Sequence, residues 1–372
     1  MSKIISISTS VPAYRHRQQD ILSFMQRVYA MSEIDKRKLK FLYHQSAIDE
    51  RYSVVPDYSL DAYEWQFYPA TENLDPFPSL EHRMKWYNKT AAPLSVTAIE
   101  KCIENKILKK EITHLITVSC TGMSAPGLDL QIMEEMGLKP AIYRTSINFM
   151  GCYAAIHGLK MADAICNNDK AAKVLIVCTE LCTLHFQREN TIDNIASSLL
   201  FGDGCSAVLV AGDNDKTNGL RIKNFYSEVA FKGKKDMSWE LSSSGFLMTL
   251  SGYVPDLIEQ DFAKLLNNAL LNAGIDKKEI SHWCVHPGGK RILTSIEKSI
   301  NISPDDLRES YNVLRNYGNM SSPTILFVLK EIMDALDLEN DKSKRKNEKE
   351  SNIFGAAFGP GLTLETFILA ND

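Results

Sequence analysis

The sequence predicts an α/β fold of stacked layers made from two duplicated halves. Three observations carry this. Apolar strand candidates alternate with helix candidates, which is the pattern of α/β layers. The spacing repeats, with 38 residues from Thr113 to Gly151 and 37 from Ser281 to Gly318. Each half then reaches an F-G-x-G turn, at Phe201 and at Phe358. Residue identity between the halves is weak, so the echo is one of topology. The polar, turn-rich stretch Gly212-Asp213-Asn214-Asp215-Lys216 marks the boundary, giving halves 1–215 and 216–372.

The elements follow in order. Ile4, Ile5 and Ile7 make a β-branched strand that ends at Pro12. Residues 111–119 are an apolar strand candidate, followed by a turn with Gly122, Pro126 and Gly127 and a helical stretch at 128–136. Asn148-Phe149-Met150-Gly151-Cys152 leads into a helix at 154–165 rich in small residues. Residues 173–178 (KVLIVC) read as a buried strand, and 199–212 hold another around Phe201-Gly202-Asp203-Gly204. In the second half, 281–286 is a strand and Pro287-Gly288-Gly289 a turn. A helix at 291–300 follows, and Asn316-Tyr317-Gly318-Asn319 precedes another at 323–336. The chain closes with Phe358-Gly359-Pro360-Gly361 and a strand at 362–369. The charged run 339–350 reads as a solvated loop.

Composition excludes several classes. The 372 residues are 44% hydrophobic and 24% charged, which is ordinary for a globular protein and too apolar for a disordered one. A net charge of −4 leaves no footprint for nucleic acid or an anionic membrane. The start of the chain lacks the basic and apolar regions of a signal peptide, and no apolar run approaches the ~18 residues of a spanning helix. A cytoplasmic protein is expected. The eight cysteines form no C-x-x-C pair and no cluster with zinc spacing, so no metal is expected and free, mostly buried thiols are.

Cys152 is the candidate nucleophile. A thiol at a helix N-terminus meets free N–H groups and the positive end of the dipole, and a neighbouring imidazolium would lower its pKa further. A buried structural cysteine is the alternative. His286 ends a strand in His-Pro-Gly-Gly, where the glycines let a substrate approach the backbone. A structural histidine is the plainer reading, which pairing with Cys152 reverses. Asn319 precedes a helix and would serve as its cap. Beside the other two it could donate to a developing oxyanion.

Five segments in this order carry a family resemblance: NFMGCYAAIHGLKMADAI at 148–165, LFGDGCSAVLV at 200–210, WCVHPGG at 283–289, YGNMSS at 317–322 and GAAFGPGLTLE at 355–365. They resemble the type III polyketide synthases of the chalcone/stilbene synthase superfamily. The resemblance implies a thiolase-like fold of five αβαβα layers, usually in a homodimer. It places the catalytic residues at Cys152, His286 and Asn319 and the gatekeeper at Phe201. It implies acyl-CoA and malonyl-CoA as substrates, with no cofactor. An acyl-CoA starter would load on Cys152. Malonyl-CoA would lose CO2, and the enolate would be stabilised by His286 and Asn319. Decarboxylative Claisen extension would end in a cyclised pyrone, phenol or resorcinol.

The departures bear on the pocket. The second gatekeeper, Phe in plant members, aligns with Met248, and a position that is Gly in many aligns with Trp239. Polar pocket positions align with His185 and Cys182, the cyclisation-loop position with Thr121 preceded by Cys120, and a dimer-crossing Met with Ala125. A fatty or small acyl starter fits this pocket better than an aromatic one. For CoA binding, Lys38 aligns with one family lysine while the two companion positions are Phe41 and Gln45, and Arg291 beside Lys290 is a second candidate.

The alternatives are a ketoacyl carrier-protein synthase III, a Cys/His thioester hydrolase, and a non-catalytic thiolase-fold partner. A hydroxymethylglutaryl-CoA synthase would want a Glu near the Cys/His pair, and none is indicated by the sequence.

Overall fold

The computed structural model describes residues 2–29, 31–71, 73–342 and 351–371. The first half contains β1 (Lys3–Ser10), β2 (Tyr14–Arg17), α1 (Gln18–Val28), α2 (Glu33–Gln45), β3 (Glu50–Ser53), α3 (Leu80–Ile103), β4 (His114–Ser119), α4 (Leu128–Met136), β5 (Tyr143–Asn148), α5 (Ala154–Asn168), β6 (Lys173–Leu181), α6 (Ile192–Leu200) and β7 (Asp203–Ala211). The second contains β8 (Leu220–Val229), β9 (Met237–Ser242), β10 (Gly245–Leu250), α7 (Val254–Ala273), β11 (Ile280–Val285), α8 (Lys290–Ile300), α9 (Arg308–Tyr317), α10 (Thr324–Lys342), β12 (Ser351–Gly359) and β13 (Thr363–Asn371).

The strand order is β11-β12-β13-β8-β1-β7-β6-β4-β5. Its two segments repeat one pattern. β4 runs parallel to β6, β6 antiparallel to β7, and β7 antiparallel to β1. Likewise β11 runs parallel to β12, β12 antiparallel to β13, and β13 antiparallel to β8. Only Lys3↔Arg221 and Ile4↔Leu220 join β1 to β8. This is the duplication that the repeated spacing predicts.

Strand periodicity builds the layers. Alternate residues face opposite sides, so a strand buried on both faces is apolar throughout. On β6, Leu175 and Val177 face one core with α1, α3 and α4, while Val174, Ile176 and Cys178 face a second core. On β12, Ile353 and Ala357 join that same second core, while Phe354, Ala356 and Phe358 face a third with α7 and α8. The second core is filled by α5 and α10, through Ala155, Ile156, Leu159, Ile325, Val328 and Leu329. Two helices thus lie between two sheets with helices outside, the five αβαβα layers of the thiolase fold. Small residues on α5 let it sit close: a Cβ on Gly158 would stand 2.9 Å from Ile176.

Two expectations change. The charged run at 339–350 is not all loop, because α10 continues to Lys342; residues 343–350 lie outside the described residues. The strand expected within 199–212 is shorter, because Leu199 and Leu200 close α6. Strand β7 starts at Asp203 and β12 runs through Gly359, because backbone pairing extends into the turns.

Candidate active site

Strand β5 ends at Asn148, and the chain must turn sharply into α5. Gly151 makes the turn with φ +79, and a Cβ there would stand 2.2 Å from Cδ of Pro360. Only glycine fits both the left-handed backbone and the close approach. Cys152 follows within a single 3-10 turn, Gly151–Tyr153. His286 leaves the end of β11, its N–H bonded to Ala356 O at 2.9 Å. Asn319 follows Gly318 (φ +67), where a Cβ would stand 2.7 Å from Arg51 and from Leu200 O.

These residues share one cavity of about 440 Å³, together with Cys120, Thr121, Cys182, Phe201, Trp239, Met248 and Arg291. Its inner walls are mostly apolar, and its mouth includes Leu42, Gln45, Ile192, Lys290 and Arg291. Cys152, His286 and Asn319 are each buried. Neither ring nitrogen of His286 has a hydrogen-bond partner among the described residues. Asn319 Oδ1 accepts from Ser321 N at 2.8 Å, and its Nδ2 makes a long contact of 3.4 Å to Gly288 O. Both side chains therefore retain donor capacity toward the cavity.

Phe201 and Asn319 are joined through the backbone. They form a parallel β-bridge, with Asn319 N donating to Leu200 O at 2.9 Å and Gly202 N donating to Asn319 O at 3.0 Å. Arg51 Nη1 donates to Phe201 O, and Arg51 Nε to Gln18 Oε1 at 3.0 Å. The wall and the carboxamide come from different halves and are fixed to each other.

The sequence-based expectation of a lowered Cys152 pKa is overturned. Burial pushes the thiol up to about 11, with hydrogen bonds from Ser321 and Asn319 pulling the other way. Burial also lowers His286 to about 3. Removal from water disfavours either charge, and this outweighs the helix terminus. Burial thus works against charge on either group taken singly, and a neutral imidazole on the same cavity can take the sulfur proton as attack begins.

The remaining pocket residues form a partition. Trp239 Nε1 donates to Cys120 O at 2.7 Å, and Trp239 faces Met248 across the β9–β10 pair. His185 stacks on Phe246 at 4.2 Å. Its Nε2 lies 2.7 Å from Thr121 O and its Nδ1 accepts from Phe246 N at 3.1 Å, which fixes the proton on Nε2. Burial holds this imidazole at about 3, so it is a neutral structural support. Behind Cys182, Phe201, Trp239 and Met248 lies a second, smaller cavity of about 40 Å³. His185 lines this inner chamber and not the main cavity.

Sequence reasoning missed Glu180. It is fully buried on β6 and accepts from Cys120 N at 2.9 Å, Thr121 Oγ1 at 2.8 Å and Ser322 Oγ at 2.7 Å. Burial raises its pKa to about 7 against those three donors. The expectation of no Glu near the Cys/His pair is thereby corrected. Glu180 sits behind the wall, its oxygens occupied, and acts electrostatically on Cys152. A carboxylate inside the otherwise apolar strand KVLIVCTEL was the available signal.

The two CoA candidates differ in place. Arg291 is at the mouth, 3.4 Å from Asp256. Lys38 does not line the cavity; it is exposed and paired with Asp35 at 3.0 Å. All eight cysteines are free and buried, and among the described residues no group of three or more His, Cys, Asp or Glu could hold a metal ion. No helix of the described residues is long and apolar enough to cross a membrane.

Two sheets enclosing two central helices, with cysteine, histidine and asparagine on one cavity, is the organisation of the thiolase-fold condensing enzymes. The model of chalcone and stilbene synthases matches the chain, its N-terminal domain over residues 1–214 and its C-terminal domain over 225–371. The chain belongs to this family, the type III polyketide synthases. It is 27% identical to type III polyketide synthase C of Arabidopsis thaliana, over 99% of this chain and 94% of that protein. Among solved structures, PKS-I of the brown alga Ectocarpus siliculosus superposes with a TM-score of 0.92 at 26% identity, covering 100% of this chain and 98% of that one. The 1,3,6,8-tetrahydroxynaphthalene synthase of Streptomyces coelicolor A3(2) gives 0.86 at 25%, covering 100% and 99%.

Proposed function

We propose that the chain loads an acyl-CoA starter on Cys152 and extends it with malonyl-CoA by decarboxylative Claisen condensation, releasing a cyclised pyrone or phenolic product. The observation that carries this reading is the meeting of Cys152, His286 and Asn319 on one apolar cavity, with neither His286 nitrogen paired among the described residues. His286 takes the Cys152 proton as the sulfur attacks the starter thioester, and CoA leaves as its thiol. Malonyl-CoA then enters, and its thioester oxygen lies against His286 and Asn319. Loss of CO2 leaves an enolate whose negative oxygen those donors stabilise. Phe201 supplies an apolar wall that shields the carbanion from water. The enolate attacks acyl-Cys152, and the lengthened chain returns to the cysteine.

In this reading the substrates are acyl-CoA and malonyl-CoA, with no cofactor, metal, nucleic acid or membrane insertion. The first half (1–215) supplies the nucleophile and the second (216–372) the His and Asn. The protein acts in the cytoplasm as a homodimer. Support for a second copy is the free edge of β5, whose residues are mostly exposed at one end of the sheet.

The test is product mass spectrometry with malonyl-CoA and starters from aromatic to long-chain acyl-CoA, with Cys152→Ala as control. Pyrones or phenols lost in Cys152→Ala support the proposal. Acyl-labelled Cys152 without extension overturns it in favour of synthase III or hydrolase chemistry.

A further inference from the structure

The cavity mouth carries side chains that a substrate inside it does not meet. Helix α2 buries Leu39 and Tyr43 and lines the cavity with Leu42 and Gln45. Its Ile34 and Phe41, seven residues apart and so two turns along one stripe, lie outside the lining and are 66% and 63% exposed. On the neighbouring α6, Ile192 at the mouth is 81% exposed. Between the lining residues Gly252 and Val254, Tyr253 is 71% exposed. Large apolar and aromatic side chains thus stand singly around the opening, on three separate segments, where an isolated protein gains nothing from exposing them.

Charge accompanies them. Helix α2 carries four cations, Lys36, Arg37, Lys38 and Lys40, against two carboxylates, Glu33 and Asp35. Lys36 and Lys38 take those carboxylates. Arg37 and Lys40 are exposed and meet no carboxylate among the described residues. Neither lines the cavity, so their charge is open to a partner outside it. The chain as a whole has a net charge of −4, so this positive patch sits on an acidic body.

This combination selects the partner. A protein interface buries a fitted, close-packed core, which side chains standing apart on three segments do not offer. A bilayer surface needs no such fit. It receives separate apolar and aromatic groups, and its anionic headgroups move sideways to meet isolated cations. We propose that the rim of the mouth docks reversibly on an anionic phospholipid surface. Docking is peripheral, with no segment crossing the bilayer, and its reversal leaves the mouth open to soluble malonyl-CoA. The acidic remainder of the chain is repelled by the same surface, which turns the mouth toward it. A long-chain acyl-CoA, itself an amphiphile held in that surface, passes its chain into the apolar cavity without crossing water. The docking stands on the rim alone; this delivery rests on Cys152 accepting the acyl group.

The experiment is co-sedimentation of the full chain with vesicles of phosphatidylcholine alone and of an equal mixture with phosphatidylglycerol. Partition onto the mixed vesicles is expected to be about tenfold stronger and to weaken as salt rises. Arg37→Glu with Lys40→Glu should remove that preference, and Ile34→Asp with Phe41→Asp should cut binding to the mixed vesicles about tenfold. All four side chains are exposed, which keeps the fold in both variants. Equal partition on both vesicles, no response to salt, or full binding by both variants would overturn the proposal. No partition at all would overturn it in favour of a protein partner. Cys152 acylation by octanoyl-CoA without vesicles, read by intact mass, tests the function apart from the docking. Acylation without docking defeats this proposal alone, and docking without acylation defeats the function reading alone.

Discussion

Replacing Asn319 with Ala should separate decarboxylation from loading. The backbone at Asn319 is held by Leu200 O and Gly202 N, and neither bond involves the side chain. The turn should therefore survive. The variant loses the acceptor for Ser321 N, a stability cost of about 1 kcal/mol. It also loses the Nδ2 donor, which makes a long 3.4 Å approach to Gly288 O and reaches the Cys152 sulfur. Both contacts are weak enough for the donor to turn to a developing enolate, and removing one such donor costs about 2.7–4 kcal/mol, or roughly 10²–10³ in rate. The assay is CO2 release from malonyl-CoA set beside Cys152 acylation by starter acyl-CoA, read by intact mass. Decarboxylation should fall by that factor while loading falls much less. Equal losses in both steps would refute the assignment, because they would mean that Asn319 serves the cysteine and not the enolate.

Three further outcomes are expected. Gly151→Ala forces a left-handed backbone costing about 1–2 kcal/mol and drives a methyl group into Pro360, so Tm and Cys152 acylation should both fall; an unchanged melt would count against this turn geometry. Glu180 titrates at about 7 in the folded protein against an ordinary 4.5, so the native state holds the extra proton between those values. Its stabilising contribution is full below the lower value and is lost as pH rises through the upper one, by about 3 kcal/mol. Asp203 and Glu331 are raised into the same range and slope both curves, so from acid to neutral pH wild type should lose about 3 kcal/mol more than Glu180→Gln, and parallel curves would reject it. Trp239→Gly removes the partition between the main cavity and the inner chamber, so the product distribution should shift toward longer chains. An unaltered distribution would put the length limit elsewhere.

What the sequence made legible was the part governed by period and punctuation. The helix at 128–136 is found at those bounds, and strands near 114 and 280 lie within a few residues of expectation. Gly151, Gly288 and Gly318 marked the turns that carry Cys152, His286 and Asn319. The strands at 220–250 were not read, because their burial alternates irregularly and gives no clean period. Glu180 was missed for another reason. Its three donors come from two other segments of the chain, and no local pattern encodes them. The charge state of Cys152 was misjudged because helix-end position is written in sequence, whereas depth of burial is a property of the assembled layers.

The backbone bridge between Phe201 and Asn319 is a seam between the two copies of an ancestral unit. Through it, drift in either copy shifts the other's contribution to the same reaction. A chimera that exchanges whole halves between relatives must match this seam in register before its pocket residues matter. A substitution at Trp239 carries a smaller debt of the same kind, since its Nε1 donates to Cys120 O of the first half at 2.7 Å. The β9–β10 ribbon is thus tied to the first half as well, and a change of pocket shape at Trp239 is also felt by the segment that carries Cys120 and Thr121.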